Sequence, residues 1–387
     1  MRPSAGLRLA VFRKLKKKWL KVRRFFRLYT SGLSRDKVEQ LLKRDAVDTF
    51  HYLKSKTGAA DEMPEHPTIR STPFVIKEIF FSFVMQLTPA RRLFYSIAVI
   101  GFVAGLVKLD LFYLVASFFL INILLAMELV DKLTTRDELE IAREIQLSLL
   151  PDHIPQLQML SIATFSKPAR TVGGDFFDVV QPNNDLVIGI LGDVSGKGIS
   201  AALYATYVQS SFQSLSVTSA SPAELMCNLN NLVTRRLHDG HFVTAIIAVF
   251  DARDRSVSIA RAGHNWPLYY SAATQSITEL RPKGVSIGPF ESGQFAEVLE
   301  EQKIFLRKGD FLLLYSDGIT EASDPDKRMF ELAGLKSVIT ESIHQPSQAI
   351  IDRINQRVHA FARSDELRDD ATMLGIKVEQ GEPKTSV

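Results

Sequence analysis

Cysteine is nearly absent from the chain: Cys227 is the single thiol in 387 residues. It lies in a helix-like run from Ala223 to Leu237, which reads as a small core residue in a reducing compartment rather than a nucleophile or half of a disulfide. The eight histidines are not clustered with Cys, which argues against a zinc site. No phosphate-cradling loop is present either. Three residues separate Gly192 from Gly196 and a glycine follows Lys197, whereas that loop needs four residues and then Ser or Thr after the lysine. No secretory signal is evident, because no apolar core of signal type directly follows the first charges. Internal repeats and low-complexity tracts are absent as well.

What is present is a strong charge asymmetry hidden in a net charge of +4: residues 1–44 carry 15 Lys and Arg against Asp36 and Glu39, which leaves 32 against 41 for the remainder. Within this basic segment Phe12, Leu15, Trp19, Val22, Phe26 and Tyr29 recur at intervals of three and four, one apolar stripe on a cationic helix. That pattern describes a helix lying on a membrane surface. A solvated or disordered arm is the alternative, but it would waste the aromatics; no nucleic-acid partner is expected. Residues 45–92 read as a linker, with "DEMPEHPT" as its polar centre.

Between Leu93 and Val130 the only charges are Lys108, Asp110 and Glu128, so two apolar runs, Leu93 to Val107 and Leu111 to Met127, flank a tiny polar break. Residues 93–130 therefore read as a transmembrane helical hairpin. Each run is short of the roughly 20 residues that a span needs, which leaves one tilted span or a re-entrant pair open. A basic N-terminus held in the cytoplasm and a cytoplasmic downstream domain require an even number of crossings, which the hairpin satisfies. The expected location is the inner membrane, with the catalytic part in the cytoplasm. Glu128 to Leu150 follows as an amphipathic helix, residues 131–156 forming a helical linker that Pro151 interrupts. Its stripe must be buried on a second copy, giving a homodimer, or on the domain that follows.

From about Leu157 the pattern changes to strands: "LSIATFS", "DFFDVV", "LVIGILGD", "FVTAIIAVFD", "SVSIARAG", "FLLLYSD" and "ATMLGIKV". Helix-like runs cover Ile199 to Ser214, Pro222 to Leu237 and Gln345 to Phe361. Strand follows strand across short turns, so the class is α+β with antiparallel pairing. Runs as apolar as "LVIGIL" must be buried on both faces, which calls for sheet packed on sheet with helices outside. This domain is expected over 157–380, with 381–387 as a tail.

Four acidic positions sit at strand ends beside small residues: Asp175 in "VGGDFFD", Asp193 in "GDVSGKG", Asp317 in "YSDGITEA", and Asp369-Asp370 in "RDDAT". Asp193 and Asp317 close oily runs and the last pair opens one, so an antiparallel sheet can bring them to one rim. Converging carboxylates resist ionisation unless a cation joins them, and an all-oxygen set suits Mg²⁺ or Mn²⁺. Taken singly, each Asp-Gly pair is equally a turn.

In order along the chain, "EIAREIQLSLLP", "VGGDFFDV", "GDVSGKGISAALYA", "AGHNWPL", "YSDGITEA" and "DDAT" resemble the bacterial RsbU/SpoIIE branch of the metal-dependent 2C-type protein phosphatases. The likeness covers roughly the last 250 residues. It implies an αββα sandwich and a two-metal centre hydrolysing phosphoserine or phosphothreonine on a protein, for which the family suggests a phosphorylated anti-sigma-factor antagonist of the STAS type. It also implies metal ligation by Asp175, Asp193, Asp317 and Asp369 and by the carbonyl of Val194, with two Mn²⁺ or Mg²⁺ ions. The helix before the domain would be regulatory. Arg170 could hold the substrate phosphate as a fork donor or equally be a solvated surface residue, and Asp178 and Asp370 are read as acids supporting the ligands, Asp178 being equally a strand-surface residue. His264 is read chiefly as a turn-stabilising residue between strands. Where eukaryotic members carry a His, two residues after the aspartate, this chain has Ser195, so the acid that protonates the leaving group is unassigned. Two rivals remain at this point. "GGDFF" is similar to the hairpin of nucleotidyl cyclases but comes too near the domain start, and a phosphoprotein-binding scaffold without catalysis would be marked by a lost carboxylate, of which there is none.

Overall fold

In the computed structural model the described residues are 81, 84–85, 87–151, 154–155, 159–219, 221–238 and 240–379. The basic segment 1–44, most of the 45–92 linker and the tail 381–387 lie outside them. The chain divides into two compact units at Val130/Asp131.

The first unit holds helix α1 (Pro89–Lys108), and α2 (Leu111–Ser148) begins there. Pro89 opens α1, where its missing N–H costs nothing. Leu109 closes it in the left-handed region at φ 52°, with its N–H on the carbonyl of Gly105. Asp110 then caps the next helix by accepting the N–H of Phe112 at 2.9 Å. The two helices meet through small residues: a Cβ at Gly101 would stand 2.7 Å from Ser117 Oγ, and one at Gly105 2.9 Å from the Leu114 side chain. Arg91 and Glu128 pair at 2.9 Å. Both helices are long and apolar enough to cross a membrane, and most of their large apolar side chains are exposed. At 1.5 Å per residue the 20 residues of α1 extend about 30 Å, the thickness of a hydrocarbon layer. The sequence reading separates the second apolar run from the Glu128–Leu150 helix. The structure makes them one helix of 38 residues, because no Gly, Pro or capping side chain stands between Met127 and Asp131 to stop it.

Among its described residues the second unit contains ten strands: β1 (Leu160–Lys167), β2 (Phe176–Asn183), β3 (Leu186–Val194), β4 (Val243–Asp251), β5 (Ser256–Ala262), β6 (Leu268–Ser271), β7 (Ser276–Glu279), β8 (Glu301–Phe305), β9 (Phe311–Tyr315) and β10 (Ala371–Val378). They form two five-stranded antiparallel sheets, ordered β1-β10-β9-β6-β7 and β2-β3-β4-β5-β8. Period-two alternation sorts each strand's residues between layers. Val187 and Leu191 of β3, Ile246 and Phe250 of β4, Leu312 and Leu314 of β9, and Leu374 and Ile376 of β10 meet between the sheets. Ile188 and Ile190 of β3 and Ile247 and Val249 of β4 face outward, under helices α3 (Ile199–Ser216) and α4 (Pro222–Val233). Leu313 and Met373 face α7 (Glu331–Ser342) and α8 (Ser347–Ala362) on the other side. The product is the αββα sandwich, with the short helices α5 (Ser292–Val298) and α6 (Asp317–Thr320) in connections.

Local chemistry sets several boundaries. Ser221 accepts the N–H of Glu224 at 3.2 Å with Pro222 behind it, a capped start to α4. Lys377, buried on β10, donates to the carbonyls of Ile343 and Gln345 and so satisfies the end of α7.

Candidate active site

Antiparallel register gathers the acids. Phe176 pairs with Gly192, so Asp175, just ahead of β2, comes beside Asp193 near the end of β3. In the other sheet Tyr315 pairs with Met373, which brings Asp317, two residues past β9, to Asp369 and Asp370, just before β10. Ser316 fastens this junction: its N–H donates to the carbonyl of Thr372 and its Oγ accepts the Thr372 N–H, each at 2.9 Å.

The glycines of these motifs are explained by close approach. A Cβ at Gly174 would lie 2.9 Å from the Val194 carbonyl oxygen and 3.1 Å from Asp193 Oδ1, and one at Gly318 would overlap the carbonyl of Asp370. The Val194 N–H donates to the Gly174 carbonyl at 3.3 Å, so residues 174 and 194 are clasped edge to edge.

Electrostatics make the rim unusual. Burial, then the charge of Asp193, pushes Asp175 well above the ordinary carboxylate range, partly offset by the hydroxyls of Ser316 and Thr372. Asp193 is pushed up to about 7 by burial and by the facing charges of Asp317, Asp369 and Asp370. Asp317 is raised by burial, then by Glu321 and Asp369, with Lys197 acting against them. Asp175 Oδ2 is buried without a hydrogen-bond partner, a cost that a native fold rarely tolerates without a ligand. Repelling carboxylates around an orphaned buried oxygen, with no sulfur or imidazole among them, fit a hard divalent cation. The rim is nonetheless open: among the described residues no three acidic, His or Cys side chains stand close enough to hold one ion. Lys197 Nζ lies against Asp369 Oδ2 at 2.7 Å.

The remaining sequence candidates separate clearly. Asp370 turns its carboxylate onto backbone, accepting the N–H of Ala169 and of Gly174, each at 2.7 Å, and so shapes the loop that carries Asp175. Exposed Arg170 lines a shallow cleft with Lys197, Arg368, Asp369 and Asp370, on the edge of the rim. Asp178 is buried and not on the strand surface; Gln213 of α3 donates to its Oδ2 at 2.6 Å, and burial raises its carboxyl. Cys227 is half-buried against the α4 core, and burial raises its thiol. Ser195 Oγ accepts the N–H of Phe242 at 2.8 Å. Sequence reasoning passed over Lys197, Ser316 and Thr372, although each lies inside a motif it quoted; a lysine or hydroxyl beside a clustered acid was the available signal.

A family model described as Stage II sporulation protein E (SpoIIE) matches residues 183–379. Phosphoserine phosphatase RsbU of Bacillus subtilis is 30% identical over 245 residues, covering 62% of this chain and 70% of the relative. Among solved structures, the PP2C domain of SiaA from Pseudomonas aeruginosa superposes with a TM-score of 0.56 at 19% identity, over 64% of this chain and 99% of that one. The PP2C phosphatase domain of SpoIIE from Bacillus subtilis, with a fragment of its regulatory domain, gives 0.50 at 18%, over 57% and 63%. Fold and relatives together define the class, a protein serine/threonine phosphatase of the PP2C type. The chain belongs to the SpoIIE family.

Proposed function

We propose that the chain is a membrane-anchored, Mn²⁺- or Mg²⁺-dependent phosphatase that hydrolyses phosphoserine or phosphothreonine on a regulatory protein. The observation that carries the metal dependence is the buried, unpartnered Asp175 Oδ2 beside a carboxylate, Asp193, held near neutrality. Asp175, Asp193, Asp317 and Asp369, with the carbonyl of Val194, would hold two ions, which supply an activated water and neutralise the phosphoryl oxygens. Asp370 fixes the loop that presents Asp175. Arg170, which lines the cleft with Lys197 and Asp369, would orient the substrate phosphate through its fork of N–H donors. A thiol or serine nucleophile is unnecessary, and Cys227 on α4 is remote in chemistry from that role.

The likeness to RsbU supports a phosphorylated STAS-type anti-sigma-factor antagonist as substrate. The apolar helices α1 and α2 support anchoring through a hairpin, with the catalytic unit in the cytoplasm, and the helix following the membrane could pair with a second copy.

The full chain in detergent is expected to release phosphate from p-nitrophenyl phosphate and from phosphoserine proteins with Mn²⁺ or Mg²⁺, and to be silent in EDTA. Activity that survives EDTA, or that needs zinc alone, contradicts the reading. For the anchor, epitope tags at residues 1 and 387 are expected to be cleaved by protease from the same side of sealed vesicles; protection of one tag alone contradicts the hairpin.

A further inference from the structure

His264 is a buried imidazole in "AGHNWPL" whose two nitrogens are both engaged, each by a different sheet. Nδ1 lies 2.9 Å from Thr244 Oγ1, and Thr244 is the register partner of Asp193 on β4. Nε2 lies 3.2 Å from the carbonyl of Tyr315, the last residue of β9 and two before Asp317. A carbonyl only accepts, so Nε2 carries the proton and Nδ1 accepts from the threonine hydroxyl. Burial pushes the ring's pKa down to about 4, and the neutral form with this one tautomer persists at physiological pH.

The loop is built to hold the ring still. Arg261 donates to the carbonyl of His264 at 2.7 Å and to those of Pro282 and Gly284 at 3.1 and 3.3 Å. Gly263 is needed for its φ of 67° and because a Cβ there would meet Ser286 N at 2.9 Å. Three carbonyl contacts from one guanidinium, a positive φ and two ring bonds are more than a surface turn between strands requires.

We infer that His264 is a positioning residue for the metal rim: a strut between the two sheets that sets the separation of Asp193, carried by one, from Asp317, carried by the other. The core between the sheets is apolar and fixes spacing but not sliding along the strands; at the rim the bond from the Gly174 N–H to Asp370 and this pair of ring bonds are directional and fix both. Divalent ions bound by oxygen donors hold short ligand distances, so a small change in the gap weakens binding without unfolding the sandwich. The inference rests on the metal-ligand reading of Asp193 and Asp317.

The test uses the full chain in detergent with Mn²⁺ as the probe, read by titration calorimetry on metal-free protein and by thermal melting. His264→Phe keeps the ring's bulk and loses both bonds; Thr244→Val cuts the link toward β4 and with it the 3.4 Å contact of the Thr244 hydroxyl with the Asp193 carbonyl; His264→Gln retains an amide donor for the Tyr315 carbonyl. Mn²⁺ affinity is expected to fall at least tenfold in His264→Phe and several-fold in Thr244→Val, with partial recovery in His264→Gln. The Mn²⁺ concentration for half-maximal activity should rise in parallel, while KM for p-nitrophenyl phosphate at saturating metal changes little. Affinity within twofold of wild type in folded His264→Phe overturns the inference. If that variant does not fold, unchanged affinity in Thr244→Val overturns it. A wild-type chain that binds no Mn²⁺ defeats the metal reading itself, and the inference with it.

Discussion

Asp193→Asn in the full chain is expected to lower phosphate release about a thousandfold, roughly 4 kcal/mol in the barrier, and at the same time to raise the melting temperature of the metal-free protein at pH 8. Both effects come from one property. In the folded, metal-free chain the Asp193 carboxyl titrates at about 7 instead of its ordinary 3.8, because it is buried and faces Asp317, Asp369 and Asp370. Between those two values the unfolded chain has released a proton that the folded chain still holds. Stability therefore falls as pH rises through this window, and the loss is complete above the folded value. A shift of this size corresponds to a few kcal/mol, on the scale of 1.36 kcal/mol per pKa unit. Asparagine cannot ionise, so the slope disappears and the variant should melt several degrees above wild type at pH 8, with the difference shrinking toward pH 5. Turnover and melting curves across pH 5–8 in EDTA check both halves. Retained activity, or a wild-type melting curve that is flat in pH, contradicts the reading of the rim as a strained cation cage.

Gly318→Ala should be nearly as damaging to activity although it removes no functional group. The added methyl would overlap the carbonyl oxygen of Asp370 and lie 3.2 Å from that of Asp369. These are backbone atoms just before β10, and they cannot rotate away as a side chain could. The turn must shift, taking Asp369 and Asp370 with it, and a drop of at least a hundredfold, about 2.7 kcal/mol, is expected with the circular dichroism spectrum unchanged. Gly293→Ala is the control: nothing lies within 4 Å of its added carbon, and its turnover should match wild type.

The long, oily strands were legible because burial on both faces leaves an unmistakable run, as in β3, β9 and β10. The three strands that were not read, β6, β7 and β8, have four or five residues each, and β7 and β8 are sheet edges with exposed or half-exposed side chains. Helix α7, with Gly334 and the β-branched Val338, Ile339 and Thr340, carries too mixed a propensity to declare itself. At the site, the acids could be picked out because each stands against glycine at a strand end. What could not be read was the direction in which neighbouring carboxylates turn. Asp369 and Asp370 are adjacent and chemically identical, yet one meets Lys197 and the other is consumed by backbone N–H groups of a loop some 200 residues earlier. Only the close approach of that loop decides between them.

The place of β10 has a consequence for how the protein comes into being. It lies between β1 and β9 and pairs with both, and its register joins Leu160 to Val378, more than two hundred residues apart. During synthesis β1 emerges early and has no hydrogen-bonding neighbour until the latest of the described strands is made. The other sheet, β2-β3-β4-β5-β8, contains no strand beyond Phe305 and can form first. A nascent chain made only as far as about residue 300 therefore already carries Asp175 and Asp193 but has neither Asp317 nor Asp369, and β1 is then an open edge of the kind that seeks other partners. Closure over such sequence separation is slow, and it coincides with the gathering of the four aspartates at one rim.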